Sequence, residues 1–565
     1  MKTFFVQTLG CKVNHYESDQ IAELLQSRGL TPAGADSADL RIINTCSVTT
    51  QAASQSRQSV RRLHRLAVLA QSNTAAPSDG VFDSPAGAAP LTRVDGSRPR
   101  IIVTGCWATS NPVEAAAMAG VDAVLGHHHD LAWELDRLLC RWQNQTAPAP
   151  DAPNTDPQHH LESPRESLGI ADNGKIKADG RVGQITQDIE PKSGGAVNRF
   201  LPNPATEKGS PRIPVHSAPG GGTVSLPLLG RRQPGRQRAY LKIQDGCDAH
   251  CTYCIIPSLR PNLWSKTVEQ AVDEARALVD AGHAEIVLTG IFLGAYGQPT
   301  ALRRRQPRPT AEPLGELIQA LCSKVPGLRR LRLSSLEPGD LTPDLIAILR
   351  SYPQAVPHFH LPLQSGSDLL LRKMNRQYTR DDFLQMVDGI RAAFDRPALT
   401  TDIVVGFPGE DDAEFAETVD LVREAGFIHV HAFPYSPRPG TAAARWTEQF
   451  IRGPVVNERI GVLREIAEGQ SIAFRKSFIG QTVEVIAERD SDSVAVNGET
   501  SIRHGRCERY FAVHFSGSEA RPGDAVRVKI EQVDRERTAG VASHVSDIHL
   551  RAIAGQLCLS GAANV

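Results

Sequence analysis

The sequence predicts an α/β protein with three folded parts: an N-terminal domain on a parallel sheet, a partial βα barrel, and a small C-terminal all-β barrel. Three observations predict it. Residues 1–135 and 236–470 alternate short apolar runs with helical patterns, as parallel βα units do. Residues 476–546 switch to alternating, β-branched patterns with Gly-containing turns. The chain has 565 residues, 41% of them hydrophobic, 5% aromatic and 22% charged, enough for several buried cores.

In the N-terminal domain, 1–140, the runs 4–9, 40–44 and 101–104 read as strands, and 17–28 and 51–70 as helices. Segment 72–98 is rich in Ala, Pro, Gly and Ser and reads as a flexible insertion. Residues 141–235 are rich in Pro, Gly, Asn, Asp and Ser. Such a stretch cannot bury enough apolar surface to offset its ordering entropy, so a disordered linker or insertion is expected. The run Gly220-Gly221-Gly222 lacks the strand and helix that a phosphate loop needs on either side. In the barrel, 236–471, strands are expected at 286–288, 331–333, 359–361, 403–405 and 428–433. Helices are expected at 268–281, 314–322, 343–350, 380–394 and 411–425, with Thr342 as a cap and Pro343 in the first helical position. An Arg-rich tip at 303–308 interrupts the pattern. The last domain, 472–547, has strands at 482–487, 494–496, 510–515 and 525–530, followed by a tail at 548–565.

Lys and Arg number 62 and Asp and Glu 63, a net charge of -1. That argues against a globally basic nucleic-acid binder and leaves room for a local basic face. Mean hydropathy is -0.26. No apolar run approaches the roughly 20 residues that span a bilayer, so no membrane partner is expected. The start MKTFFVQTLGC reads as a first strand, not a signal peptide, and a cytoplasmic location follows. In that setting ten cysteines point to metal or redox chemistry before disulfides.

Cys247, Cys251 and Cys254 form C-x3-C-x2-C in DGCDAHCTYCIIP. Three thiolates on one loop can hold three irons of a four-iron cluster and leave the fourth open. The alternative is zinc with His250 as fourth ligand, although zinc sites favour paired C-x2-C units. Cys11, Cys46 and Cys106 each follow an apolar strand. In a parallel sheet the carboxyl ends of all strands share one edge, so the three converge there. Gly10 and Gly105 precede two of them and allow close approach of a bulky ligand. The alternative is three ordinary buried cysteines. Cys140 and Cys322 sit in helical patterns and read as core; Cys507 and Cys558 have no partners at useful spacing.

The C-x3-C-x2-C loop ahead of a TIM-like βα barrel resembles the radical S-adenosylmethionine enzymes. The N-terminal cysteine triad and the C-terminal β module narrow the resemblance to their methylthiotransferases. It is carried by TLGCKVNHYES, NTCSVT, GCWA, IVLTGIFLGAYG, LRLSSLEP, HFHLPLQSGSD, DIVVGFPGE and FPYSPRPGTAA. TLGCKVN is most similar to the branch that modifies threonylcarbamoyladenosine beside the tRNA anticodon; the isopentenyladenosine branch usually has a different residue pair after that cysteine.

The resemblance implies that a 4Fe–4S cluster on Cys247, Cys251 and Cys254 binds the amino-acid end of S-adenosylmethionine. One-electron reduction then yields methionine and a deoxyadenosyl radical. It implies a second 4Fe–4S cluster on Cys11, Cys46 and Cys106, carrying the sulfur to be methylated and inserted at C2 of the adenine ring. An electron donor, a sulfur source and tRNA are the implied partners, the tRNA gripped by residues 472–547 as a TRAM domain. The alternatives are isopentenyladenosine tRNA or a ribosomal-protein aspartate as substrate, or a non-catalytic tRNA-binding iron–sulfur protein.

Barrel sites lie at the carboxyl ends of the strands. Thr289, Gly290, Ser335, Glu337, Gln364 and Asp402 are there the candidate S-adenosylmethionine contacts, with Ser334 and Ser365 beside them. Strand capping is the alternative role. The family usually has Gly and Arg-Ser-Arg after the arginine of CIIPxxR; this chain has Arg260-Pro261-Asn262-Leu263-Trp264-Ser265-Lys266, which puts substrate orientation in question. Phe292 stands where a polar residue is common. His127-His128-His129 reads as an exposed loop cluster, and Arg303–Arg305 with Arg308 as a solvated tip. Arg231, Arg232, Arg236 and Arg238 are RNA candidates, and Tyr510 and Phe511 either stack a base or fill the β module.

Overall fold

Five parallel strands in the order β2-β1-β3-β4-β5 make the N-terminal sheet. Its elements are β1 (Thr3–Thr8), α1 (Lys12–Ser27), β2 (Thr31–Pro32), β3 (Leu40–Thr45), α2 (Thr50–Arg65), β4 (Arg100–Gly105), α3 (Cys106–Ser110), α4 (Pro112–Ala116), β5 (Ala123–Leu125) and α5 (Leu131–Asn144). The central β3 and β4 are near-continuous apolar runs because both faces are covered. On one face Leu40, Ile42 and Ile102 pack with Leu24 of α1 and Leu135 of α5. On the other, Ile43, Ile101 and Val103 pack with Val60 and Leu63 of α2 and Trp107 of α3.

The computed structural model describes residues 1–66, 98–144, 226–231, 236–302, 312–488 and 502–545. The described residues within 1–142 and 226–545 form one compact unit. The expected insertion at 72–98 (except Arg98), most of 141–235, the tip at 303–308, the strand at 494–496 and the tail at 548–565 lie outside the described residues.

The βα barrel is partial. Its elements begin with β6 (Arg238–Lys242), β7 (Gln244–Asp245), α6 (Ile256–Leu259), β8 (Trp264–Ser265), α7 (Val268–Asp280), β9 (Glu285–Thr289), α8 (Pro313–Lys324), β10 (Arg330–Leu333) and α9 (Pro343–Ser351). They continue with β11 (His358–His360), α10 (Asp368–Lys373), α11 (Arg380–Ala393), β12 (Ala398–Val405), α12 (Asp412–Ala425), β13 (His429–Pro434) and α13 (Gly453–Lys476). Two parallel runs, β6-β9-β10 and β11-β12-β13, are joined by bridges at Leu331–Ala355 and Ser335–His360. Thr267, Thr379 and Asp411 cap α7, α11 and α12 with reciprocal capping boxes, and Thr342 caps α9 as expected. Within the barrel, β6, β7, α6, β8, α10 and α13 are the elements that the sequence patterns did not announce.

The C-terminal part closes into a barrel ordered β14-β15-β16-β18-β17. Its strands are β14 (Thr482–Ala487), β15 (Arg503–Cys507), β16 (Ala512–Ser516), β17 (Ala525–Val533) and β18 (Thr538–Val545). Val485, Phe511, Val513, Phe515, Val526 and Ile530 fill it. It docks where the large barrel's strands begin. Arg330 Nη1 donates to the Arg506 carbonyl (3.0 Å), Arg332 Nη1 to that of Glu508 (3.2 Å), and Arg329 Nε to Glu484 (2.9 Å). Buried Glu285 bonds Arg332 at 2.7 Å and neutralises it. No helix among the described residues is long and apolar enough to cross a membrane.

Candidate active site

Cys247, Cys251 and Cys254 lie on the loop between β7 and α6, which follows the first barrel strand. The loop is held from several sides. Cys247 N donates to the Arg260 carbonyl (3.1 Å), and Thr252 Oγ1 to that of Lys373 (2.9 Å). Asn375 Nδ2 donates to the His250 carbonyl (3.1 Å), and Asp248 accepts from Ala301 N (2.7 Å). Gly246 has φ +80°, and a Cβ there would stand 2.0 Å from the Asn262 carbonyl oxygen, so the turn into the loop requires glycine. Arg376 Nη1 donates to Cys251 Sγ (3.1 Å), and its other amine pairs with Glu337. Burial pushes the Cys247 thiol up to about 11 and Cys254 up to about 12, and their shared neighbour Cys251 adds to both.

The predicted face residues occupy the strand ends around this loop. Thr289 ends β9 and is buried. A Cβ on Gly290 would meet the Gln244 side chain at 3.0 Å, so the backbone there runs tightly against β7. Glu337 is fixed by Arg376, and Ser335 bridges to His360. Asp402 bonds His360 Nε2 at 3.2 Å, and the other ring nitrogen bonds Thr400 Oγ1 at 3.0 Å. Gln364 has φ +65°, and its Oε1 is buried without a hydrogen-bond partner among the described residues.

In the N-terminal sheet, Cys11 caps α1, Cys46 follows β3 and Cys106 opens α3 directly after β4. All three stand on the carboxyl edge, as the strand argument expects. Cys11 is exposed; Cys46 and Cys106 are buried. Burial raises Cys46 and pushes Cys106 up to about 12, and Cys11 acts on both electrostatically. Gly10 has φ +101°, and a Cβ there would lie 2.8 Å from the Cys46 Cβ. Asn14 Nδ2 ties the Leu9 (2.8 Å) and Thr45 (2.9 Å) carbonyls together, and Ser56 Oγ donates to the Cys46 carbonyl (3.0 Å). Ser47 Oγ and Asn44 Oδ1 are buried beside the triad without hydrogen-bond partners among the described residues. Among the described residues no group of three His, Cys, Asp or Glu is placed to hold a metal ion.

One buried network joins the two cysteine sites. Arg260 donates bidentately to Glu17 of α1 (2.8 and 2.9 Å), to Asp245 (2.8 Å), and contacts His127 Nε2 (3.1 Å). Burial alone would raise Glu17; Arg260 and Lys242 hold it down at about 2. The departing segment therefore has a defined task. Arg260 and Lys266, the latter paired with Glu274 and 3.0 Å from Tyr16 Oη, dock the N-terminal domain onto the barrel. His127 corrects the expectation of an exposed loop, since only His128 and His129 are exposed. Cys140 is exposed rather than core. Phe511 fills the β module, and Tyr510 is faced by Arg238, Arg332 and Arg506 within 4.7–4.9 Å. Arg236 pairs with Asp19 (2.9 Å) and Arg231 with Glu23 (3.2 Å).

A family model described as the Radical SAM superfamily matches residues 241–422, and one described as Uncharacterized protein family UPF0004 matches residues 3–76. The threonylcarbamoyladenosine tRNA methylthiotransferase MtaB of Bacillus subtilis (strain 168) is 31% identical over 94% of this chain and 94% of its own. This chain belongs to the radical S-adenosylmethionine methylthiotransferases. The MtaB protein of Thermotoga maritima is also 31% identical, over 94% of this chain and 95% of its own. A tRNA-2-methylthio-N(6)-dimethylallyladenosine synthase of Maricaulis maris is 30% identical over 95% and 97%. The solved radical S-adenosylmethionine methyltransferase TsrM from Kitasatospora setae superposes with a TM-score of 0.47 at 14% identity, covering 79% of this chain and 77% of that one.

A radical S-adenosylmethionine methylthiotransferase is an enzyme, and the family implies S-adenosylmethionine and a 4Fe–4S cluster. The barrel loop fits that cluster by its donor set. Three mutually repelling thiols with an arginine N–H on one sulfur gain from iron, whose charge inverts the cost of ionising them. Sequence reasoning missed two residues that the structure brings to the cysteine loops and their network, Glu17 and Arg376. Their signal was faint, because each acts across a gap of a hundred residues or more. It also passed over the basic run in α2, where Arg61, Arg62 and Arg65 are exposed.

Proposed function

We propose that the enzyme inserts a methylthio group at C2 of N6-threonylcarbamoyladenosine in tRNA, using two 4Fe–4S clusters and S-adenosylmethionine. The observation that carries the substrate is the positive charge of Lys12, which directly follows Cys11 at the start of α1. Lys12 lies among Arg332, Arg238 and Asp402, whose charges act on it. Burial draws its ammonium below the ordinary lysine range, with Arg332 adding to the effect. A threonylcarbamoyl group ends in a carboxylate, which such cations attract strongly when desolvated. A dimethylallyl group is hydrocarbon and offers the Lys12 ammonium no such partner.

The assignment of parts follows. Cys247, Cys251 and Cys254 hold the barrel cluster, with Arg376 donating to Cys251 and Glu337 fixing Arg376. Thr289, Gly290, Ser335, Gln364 and Asp402 line the S-adenosylmethionine face, and the unpartnered Gln364 Oε1 accepts from a ligand N–H. Cys11, Cys46 and Cys106 hold the second cluster. Bound there, the two clusters supply reductive cleavage of S-adenosylmethionine and the sulfur to be transferred. Residues 472–547 contact tRNA through their outer face, where Arg527 and Lys529 are exposed on β17, with the basic face of α2 adding phosphate contacts. An electron donor and a sulfur source complete the reaction.

The test is mass spectrometry of tRNA nucleosides from cells lacking the gene, with and without this protein. Appearance of 2-methylthio-threonylcarbamoyladenosine supports the reading. Appearance of the methylthio isopentenyl nucleoside alone overturns the substrate and keeps the chemistry. Neither product overturns the tRNA reading.

A further inference from the structure

The last barrel strand, β13, runs into Ser436-Pro437-Arg438, and this turn leaves the barrel to meet the N-terminal domain. Ser436 Oγ accepts from Thr50 N (2.9 Å) and donates to Thr50 Oγ1 (3.1 Å), at the start of α2 and four residues past Cys46. Thr441 Oγ1 donates to the Arg438 carbonyl (2.8 Å) and braces the turn from behind. The turn thereby holds Arg438 against the segment that follows Cys46, two residues on from the Ser436–Thr50 contact.

Arg438 is 7% exposed, and its Nε and Nη2 are buried without a hydrogen-bond partner among the described residues. Every other buried arginine that crosses between domains has a carboxylate or carbonyl: Arg260 has Glu17, Arg330 and Arg332 have Glu285. Guanidinium N–H groups left unanswered in a buried site carry an uncompensated desolvation cost. The turn that carries Arg438 meets the N-terminal domain four residues past Cys46 of the cysteine triad. As thiols, Cys11, Cys46 and Cys106 do not answer its guanidinium; as thiolates around an iron–sulfur cluster they carry net negative charge, and sulfur accepts N–H bonds that raise a cluster's potential.

We propose that Arg438 is the barrel's contribution to the N-terminal cluster, its guanidinium balancing the cluster's negative charge and donating to sulfur beside Cys46. The inference rests on the reading of Cys11, Cys46 and Cys106 as cluster ligands, and it extends that site to a residue almost 400 positions away. A consequence is that the N-terminal cluster is completed only when the two domains are docked.

The test uses the full chain carrying Cys251→Ala, so that only the N-terminal triad is intact, with Arg438, Arg438→Met or Arg438→Lys. Two readouts are taken: thermal unfolding of the iron-free protein, and the midpoint potential of the reconstituted cluster by EPR-monitored titration. Without iron, Arg438→Met is expected to unfold at the same or a higher temperature, because an unanswered charge has gone. With iron, its potential is expected to shift to more negative values, and Arg438→Lys to restore most of the shift. An iron-free Arg438→Met protein that melts lower, with an unshifted potential when loaded, overturns the inference and makes Arg438 a packing residue. If Cys251→Ala with Arg438 intact takes up no iron, the cluster reading itself falls, and the inference with it.

Discussion

Arg260 shows how much one side chain carries. It bonds Glu17 and Asp245 at once, touches His127, and its carbonyl accepts from Cys247 N. Breaking a buried pair leaves an uncompensated charge, at a cost of about 3–5 kcal/mol. Arg260→Met is therefore expected to lose about that much in urea unfolding. It should also form deoxyadenosine in excess over methylthiolated product, which chromatography of the reaction measures. His127 gives a pH signature. Burial and the Arg260 charge draw it down to about 4, from an ordinary value of 6.5. The native protein thus binds fewer protons than the unfolded one between those values. Its contribution to stability is complete above pH 6.5 and lost as pH falls toward 4. His127→Gln should flatten the stability profile in that window. At Lys12 the expectation is one of selectivity: Lys12→Met should lower turnover of threonylcarbamoyladenosine tRNA while leaving S-adenosylmethionine cleavage intact.

Among the elements, the short glycine turns before the cysteines are as decisive as the strands. A methyl group on Gly10 would overlap Cys46, in a backbone conformation that disfavours L side chains. Gly10→Ala is expected to lose the iron of the N-terminal site and keep that of the barrel, by iron analysis in the Cys251→Ala and wild-type backgrounds. In α2, Gln substitution of Arg61, Arg62 and Arg65 should weaken tRNA binding at every sequence and shrink its salt slope by roughly 0.7–0.9 per lost phosphate contact. These elements also show what was legible. The strands β3, β4, β9 and β12 stood out because central parallel strands are continuous apolar runs. The cysteine triads were legible because one set keeps a tight spacing on a single loop and the other stands at strand ends. β6 escaped, since Arg238-Ala239-Tyr240-Leu241-Lys242 alternates and looks half-exposed; its polar side chains are used against Tyr510, Glu17 and Asp245. The start of α1 escaped because Lys12-Val13-Asn14-His15-Tyr16 serves contacts far away instead of an amphipathic stripe.

At the scale of the whole molecule, the C-terminal barrel is fastened by charge. Three guanidiniums surround the Tyr510 ring, and Tyr510 itself has φ +73°. Tyr510→Ala should cost about 1–2 kcal/mol of docking, at about 0.5–1 kcal/mol for each of the two contacts that cross the interface, those of Arg238 and Arg332. Limited proteolysis should then cut between α13 and β14, whereas Tyr510→Phe keeps the ring and resists. No single segment announces such an interface, because its partners sit on β6, β10, β15 and the turn before β16. The same holds for the buried Arg260–Glu17 pair, with a practical result for anyone recombining this enzyme with its relatives. A chimera that takes its first 140 residues from one parent and its barrel from another inherits only half of that lock. Crossovers that move Glu17, His127, Asp245 and Arg260 as a set are the ones expected to yield a folded hybrid.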